Sequence, residues 1–108
     1  MGKTSRTKGA RGELEVVHLA VASGLEAQRT AALQAGRVPG HPDVALMHHP
    51  GYHIEVKRDE RLSVDAMLRQ AEGDAPPGRV PLLAYRRNGQ PWRGVLPLAT
   101  VFELIGSA

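Results

Sequence analysis

The sequence predicts an α/β domain in which a mixed β-sheet is flanked by helices, with the element order α-β-β-β-α-β-β-α. Apolar residues recur at helical spacing before residue 25, and alternating or apolar runs over residues 43–57 and 80–85 are typical of strands. Clusters of glycine and proline separate these segments. At 108 residues, of which 42% are hydrophobic and 23% charged, the chain has the length and composition of one globular domain.

Each predicted element follows from its periodicity and its flanking residues. A flexible basic arm is expected over residues 1–8, ahead of a single domain over residues 9–108. Gly24 is a C-cap candidate, Ser63 is an N-cap candidate, and Asn88-Gly89 indicates a tight turn. Thr100 and Glu103 match a capping box. The predicted elements are helix 9–22, strand 25–30, strand 43–47, strand 52–57, helix 64–73, strand 80–85, strand 93–98 and helix 100–105, with a loop over residues 34–42.

Basic residues are concentrated at the start of the chain. The net charge is +3, and residues 1–12 carry no acid but four bases, namely Lys3, Arg6, Lys8 and Arg11. A basic segment on a near-neutral body favours a polyanionic partner, with nucleic acid first. A solubilising tail, or the codon bias of a GC-rich genome, is the alternative explanation.

Composition excludes several classes of protein. The chain has no cysteine, which rules out disulfide scaffolds, cysteine-ligated zinc, haem thiolates and cysteine nucleophiles. No apolar run approaches the ~20 residues of a membrane span, and no apolar segment follows the N-terminal charges as a signal peptide requires. We therefore expect a cytoplasmic protein without a membrane partner.

The predicted central hairpin carries charged residues where a sheet is normally apolar. Alternate residues of a strand share a face. Glu55 and Lys57 therefore lie together, on the face opposite Ile54 and Val56, and Asp43 begins the neighbouring strand. Burying such groups costs several kcal/mol each unless they are paired or bind a metal.

These residue types suit a divalent cation. Mg²⁺ prefers oxygen ligands, with one or two carboxylates and several waters, and Asp43, Glu55 and the backbone carbonyl of Val56 are candidate ligands. A bound cation would polarise a phosphodiester. Lys57 is placed to orient or deprotonate the attacking water, or to neutralise charge on the phosphorane. An exposed edge strand with a surface Glu–Lys pair is the alternative reading.

Pro42-Asp43 followed by Glu55-Val56-Lys57 resembles the PD-(D/E)xK signature of the restriction-endonuclease-like nucleases. More narrowly, the chain resembles the archaeal-type Holliday junction resolvases, which some phages also carry. The resemblance implies a restriction-endonuclease-like core and, for a phage protein, the host cytoplasm. It extends from residue 8 to about residue 85 through Lys8-Gly9-Ala10-Arg11-Gly12-Glu13, Gln28-Arg29-Thr30, a glycine-rich loop, the Pro-Asp turn, Ile54-Glu55-Val56-Lys57 and Gln70-Ala71-Glu72.

The resemblance implies a role for each matching residue. Asp43 and Glu55 would be metal ligands, and Lys57 would be the catalytic lysine. Glu13 would complete the metal shell, directly or through water. Gln70 would steady Lys57 or the phosphate, the alternative being an ordinary exposed helix residue.

Two points of the match stay open. Helical periodicity places Glu13 and Glu15 on opposite flanks of the apolar stripe, so only the resemblance selects Glu13. The resolvases often carry a hydroxyl residue before the Pro-Asp turn, whereas residues 31–42 contain none and Thr30 is the nearest.

The function that the resemblance implies is a Mg²⁺-dependent, structure-selective DNA endonuclease, with Mn²⁺ as a substitute metal. It would resolve four-way junctions by paired phosphodiester hydrolysis, which calls for a homodimer. Two alternatives are another nuclease with this signature, of the nicking, repair or restriction type, and a non-catalytic nucleic-acid-binding module. The residues expected to contact the backbone of branched DNA are Lys3, Arg6, Lys8, Arg11, Arg29 and Arg37.

Other side chains carry weaker signals. Four histidines gather around the predicted hairpin, but they form no HxH or HExxH pattern. The arginines beside Asn88-Gly89 suit either a DNA backbone or a solvated hairpin tip. Trp92 and Phe102 are expected in the core or in an interface. These histidines are His41, His48, His49 and His53, and these arginines are Arg86, Arg87 and Arg93.

Overall fold

One five-stranded mixed sheet organises the chain. The computed structural model describes residues 2–33, 41–61 and 63–107. The strands lie side by side in chain order, with β3 and β4 parallel and the other neighbours antiparallel. The elements are α1 (Gly2–Ala22), β1 (Ala27–Arg29), α2 (Thr30–Leu33), β2 (Val44–Leu46), β3 (Tyr52–Lys57), α3 (Val64–Asp74), β4 (Val80–Tyr85), β5 (Arg93–Val95) and α4 (Leu98–Ser107). The predicted α/β class with a mixed sheet is confirmed.

The two long helices cover opposite faces of the sheet. On one face, Ala27, Val44 and Ile54 form the buried core, and α1 packs on them through Val16, Val17 and Ala20. Strand alternation sends the intervening residues to the other face. There α3 buries Met67 and Ala71, and β4 buries Leu83.

The ends of α1 and α3 show why these segments are helical where they are. Gly24 adopts a positive φ of 91° after α1, Leu25 N donates to Ala20 O, and Gly24 N donates to Val21 O. This is the Schellman arrangement, which favours glycine. The Ser63 hydroxyl accepts a hydrogen bond from Ala66 N at the start of α3, as the sequence predicts.

The boundaries differ from the prediction at three places. The first helix begins at Gly2, not near Gly9, so the backbone expected to be an arm over residues 2–8 is the start of α1. No proline interrupts this segment, and helix propagation after a formed turn adds a hydrogen bond with each residue. The short α2 was not predicted; the predicted loop that follows it lies largely outside the described residues.

The limits of the last strand and the last helix also differ from the predicted ones. β5 ends at Val95, and α4 begins at Leu98 rather than at Thr100. Thr100 N and Val101 N both donate to Pro97 O. The Pro97 carbonyl therefore starts the helix, and the predicted capping box of Thr100 is wrong.

α4 differs from α1 and α3 because it is not buried against the sheet. None of its ten residues is buried. Leu98, Phe102 and Ile105 are 64%, 63% and 65% exposed, and their spacing puts them on one side of the helix. Phe102 is therefore not a core residue of the single chain. Over the described residues, no helix is long and apolar enough to cross a bilayer.

Candidate functional site

The Pro-Asp turn is fixed to the middle of β3 by hydrogen bonds. Asp43 directly precedes β2 and is 7% exposed. Its N–H donates to Ile54 O at 2.8 Å, and its Oδ2 accepts from Val56 N at 2.9 Å. Val56 lies beyond the Val44–Ile54 pair of β2 and β3, so the carboxylate bonds a strand N–H at the point where the two strands part.

Glu55 is enclosed on the face of the sheet that α3 covers. It is 2% exposed and pairs in register with the fully buried Leu83 of β4. His53, also 2% exposed, shares this face because it lies two residues earlier on β3. Its Nε2 lies 2.8 Å from Glu55 Oε1, at hydrogen-bond distance. A buried carboxylate needs such a donor to offset the loss of its water.

Lys57 completes the group of residues that the sequence places at the centre of the hairpin. It ends β3, is half-buried, and shares the face of Glu55 by alternation. Asp43 is bonded to Val56, the residue between Glu55 and Lys57. The fold therefore brings the Pro-Asp corner and the Glu-x-Lys tripeptide together instead of placing them on unrelated surfaces.

Glu13 lies on α1 at the same end of the sheet but over its other face. Arg29 Nε donates to Glu13 Oε1 at 2.9 Å, and Arg29 pairs with Val44, the residue after Asp43. Arg29 was predicted to contact DNA; its Nε bonds to Glu13, and the DNA contact stays a prediction.

Glu15 faces β4 and β5 and takes part in a separate network. Its Oε1 accepts from Trp92 Nε1 at 2.8 Å and from Arg86 Nη1 at 2.6 Å, and Arg58 lies 4.0 Å from Oε2. The Trp92 hydrogen bond, with help from both arginines, lowers the pKa of Glu15 below its ordinary value of 4.5, against the opposing effect of burial. The structure thus separates two acids that periodicity leaves equivalent, since Glu13 bonds to Arg29 of β1 and Glu15 bonds to Trp92 and Arg86.

The other predicted site residues fall into two groups. Gln70 is exposed on α3. Arg11 is exposed on α1. Arg37, and the side chains of Lys3, Arg6 and Lys8, lie outside the described parts of the chain.

The histidines and the hairpin arginines have separate roles. His48 pairs with Glu26 at the surface, while His53 is buried against Glu55. Arg86 also donates to Gln90 O, and Arg87 donates to Asp59 O. These two arginines therefore stabilise the turn between β4 and β5, in which Gly89 has a φ of 74°.

Sequence reasoning missed the position of two groups. The Thr30 hydroxyl donates to Pro42 O and lies 3.4 Å from Asp43 O, so a hydroxyl reaches the Pro-Asp turn from the end of β1. The pairing of His53 with Glu55 was missed because the histidines were considered as a metal cluster. Its signal was the i, i+2 spacing of the two residues on one strand.

A cavity of about 400 Å³ opens beside these residues. Its polar lining comes from Thr30, His41, Tyr52, His53 and Arg79. Pro42 also lines it, so the cavity reaches the turn that carries Asp43.

The donor set suits Mg²⁺ although it forms no complete ligand cluster. Among the residues that the structure describes, no three histidine, cysteine, aspartate or glutamate side chains converge as a metal site. Mg²⁺ requires fewer protein ligands, since it is commonly held by one or two carboxylates and several waters. Asp43, directly before β2, and Glu55, on β3, provide hard oxygen donors of the kind that this cation binds.

Comparison of the chain with family models, with curated proteins and with solved structures found no match. The function must therefore be inferred from the side chains and their geometry.

Proposed function

We propose that the chain is a Mg²⁺-dependent DNA endonuclease with a restriction-endonuclease-like core, which resolves four-way junctions by cutting two strands. The observation that carries the proposal is the bond from Val56 N to Asp43 Oδ2, because it joins the Pro-Asp turn to the Glu-x-Lys tripeptide. The order of α1, three antiparallel strands, α3 and a β4 parallel to β3 supports it, because the residues that carry the resemblance follow one another along these elements.

Each central side chain has a distinct task in this proposal. Asp43 and Glu55 hold the cation, with the Val56 carbonyl as a further oxygen donor. Mg²⁺, when bound, supplies Lewis-acid polarisation of the phosphodiester. The ammonium of Lys57 orients the attacking water and offsets the negative charge that develops on the phosphoryl oxygens.

The reaction is a hydrolysis. The water loses a proton as its oxygen forms a bond to phosphorus, one phosphorus–oxygen ester bond breaks, and the departing sugar oxygen takes up a proton, so the sum is addition of one water across the ester bond. Glu13 stands beside Arg29, near the residue that follows Asp43. We propose that it acts on the metal shell through water, and that Gln70 acts on the bound phosphate.

A junction has two equivalent strands to cut, so the proposal includes a homodimer with two sites related by a two-fold axis. Branched DNA would be held mainly through its phosphates. The basic first turns of α1, together with Arg11 and Arg37, are the proposed contacts, and binding should weaken steeply as salt rises.

The decisive experiment compares cleavage of a synthetic four-way junction, a linear duplex and a flap in Mg²⁺. We expect paired nicks in the junction, and a loss of at least about 100-fold in Asp43→Asn, Glu55→Gln and Lys57→Met with junction binding retained. Glu103→Gln, an exposed acid on α4, is the matched control and should cut normally.

Each other outcome has a definite meaning. Normal cutting by both acid variants would refute the site. Equal cutting of linear duplex would indicate a nuclease of the nicking, repair or restriction type. Binding of DNA without cleavage by the unmodified chain would indicate a binding module.

A further inference from the structure

We infer that His53 is a positioning residue that holds the carboxylate of Glu55 in the orientation needed to bind the cation. The inference rests on the proposed metal-dependent function and concerns a residue outside the Pro-Asp and Glu-x-Lys motifs. Its basis is the hydrogen bond of 2.8 Å between His53 Nε2 and Glu55 Oε1.

The strand geometry fixes how the two side chains meet. They lie two residues apart on β3 and project from the same face. Each side chain is 2% exposed, so neither has room to change its rotamer freely. The terminal torsion of a glutamate is otherwise broad. A donor bound to Oε1 therefore selects one orientation of the carboxylate.

Folding stability alone does not explain a buried His53–Glu55 pair at this position. The same face buries Leu83 and Met67, which are apolar. Replacing a buried ionisable pair by apolar residues of similar volume is often neutral or stabilising. A His–Glu pair in such a layer is better explained by what its carboxylate does, and Asp43 is hydrogen-bonded to the residue after Glu55, Val56.

Hydrogen bonds to a coordinating carboxylate commonly tune metal affinity. Loss of such an outer contact typically lowers affinity by about 10- to 100-fold. His53 is suited to this task because it also borders the cavity beside the Pro-Asp turn. His53 therefore contacts both the enclosed Glu55 carboxylate and this cavity, whose described lining does not include Asp43, Glu55 or Lys57.

The test measures Mn²⁺ binding by isothermal titration in the absence of DNA, together with thermal unfolding and junction cleavage. His53→Gln retains an amide donor at nearly the reach of the imidazole Nε2. His53→Asn is polar but too short to reach Glu55 in the same way, and His53→Leu fills the space without a donor. We expect Mn²⁺ affinity to fall by about 10- to 100-fold in His53→Asn and His53→Leu and to be largely restored in His53→Gln.

Three outcomes separate the possibilities. Equal Mn²⁺ affinity in His53→Gln and His53→Asn would overturn the inference, even if His53→Leu fails to fold. An affinity that follows the melting temperatures of the variants instead of their donors would also overturn it. If the unmodified chain takes up no Mn²⁺, or takes it up equally well in Asp43→Asn, the proposed function itself fails, which is a different result.

Discussion

The carboxylate of Asp43 accepts a hydrogen bond from the backbone N–H of Val56 across 13 positions of sequence. The bond takes the place of a strand-to-strand backbone contact at the point where β2 and β3 part. One buried side chain thus links the two strands where their backbone pairing ends. Structural and chemical roles of Asp43 should therefore be separable by mutation.

Asp43→Asn and Asp43→Ala should differ in stability and agree in chemistry. The amide oxygen of asparagine can still accept from Val56 N, whereas alanine leaves a half-buried N–H without its acceptor, at a cost of about 1–3 kcal/mol. Urea unfolding of the two variants should show this difference, with Asp43→Ala the less stable. Both should fail to cut a junction. Equal stability of the two would mean that the hydrogen bond contributes nothing.

Glu15 should make folding depend on pH in the acidic range. Its pKa is lowered in the folded chain, first by the Trp92 hydrogen bond. Its stabilising effect is therefore fully present above its unfolded pKa, near 4.5, and disappears as the pH falls through the lower folded value. The side chain is 30% exposed, so the effect should be about 1 kcal/mol or less.

The measurement is thermal unfolding of the unmodified chain and of Glu15→Gln between pH 7 and pH 3. The variant should be less stable at pH 7, and the difference should shrink below about pH 4.5. Trp92→Phe keeps a ring but removes the leading donor, so it should reduce the same pH dependence. A constant difference across the range would contradict this account of Glu15.

The sequence was a good guide to β3 and β4 because each is a run of alternating or apolar residues bounded by turn residues. Both strands have the predicted limits, Tyr52–Lys57 and Val80–Tyr85. The start of α1 was not predictable in the same way, since residues 2–8 have no apolar stripe. The start of α4 depends on the carbonyl of Pro97, which no propensity identifies.

The candidate site was predictable in its residues but not in its partners. Alternation places Glu55 and Lys57 on one face, and the predicted hairpin places Asp43 at the start of the neighbouring strand. It does not distinguish Glu13 from Glu15, because that choice depends on Arg29 from β1 and on Trp92 before β5. The hydrogen bond from the Thr30 hydroxyl to Pro42 O likewise depends on tertiary packing.

Gly12 and Gly24 should respond in opposite directions to alanine. Gly12 lies within α1, where glycine costs about 0.5–1 kcal/mol relative to alanine. A Cβ there would be 3.5 Å from the Trp92 ring and 3.7 Å from Val56 Cγ1, which is ordinary contact. Gly24 has a φ of 91°, which strains an alanine by about 1–2 kcal/mol.

The measurement for this pair is the midpoint of thermal unfolding. Gly12→Ala should raise it and Gly24→Ala should lower it. A lower midpoint for Gly12→Ala would show that α1 approaches the sheet more closely than the contacts indicate, with Trp92 unable to accommodate a methyl group.

We expect the proposed homodimer to cover the apolar side of α4. Leu98, Phe102 and Ile105 form an exposed stripe on a helix whose only charged residue is Glu103. A helix with a single, negative charge is unsuited to DNA phosphates, whereas a two-fold contact would place this stripe against its own copy.

Sedimentation should show a dimer that the double change Phe102→Glu and Ile105→Glu converts to a monomer. That monomer should nick junctions singly, Glu103→Gln should remain dimeric, and a dimer that survives the double change would exclude α4 as the interface.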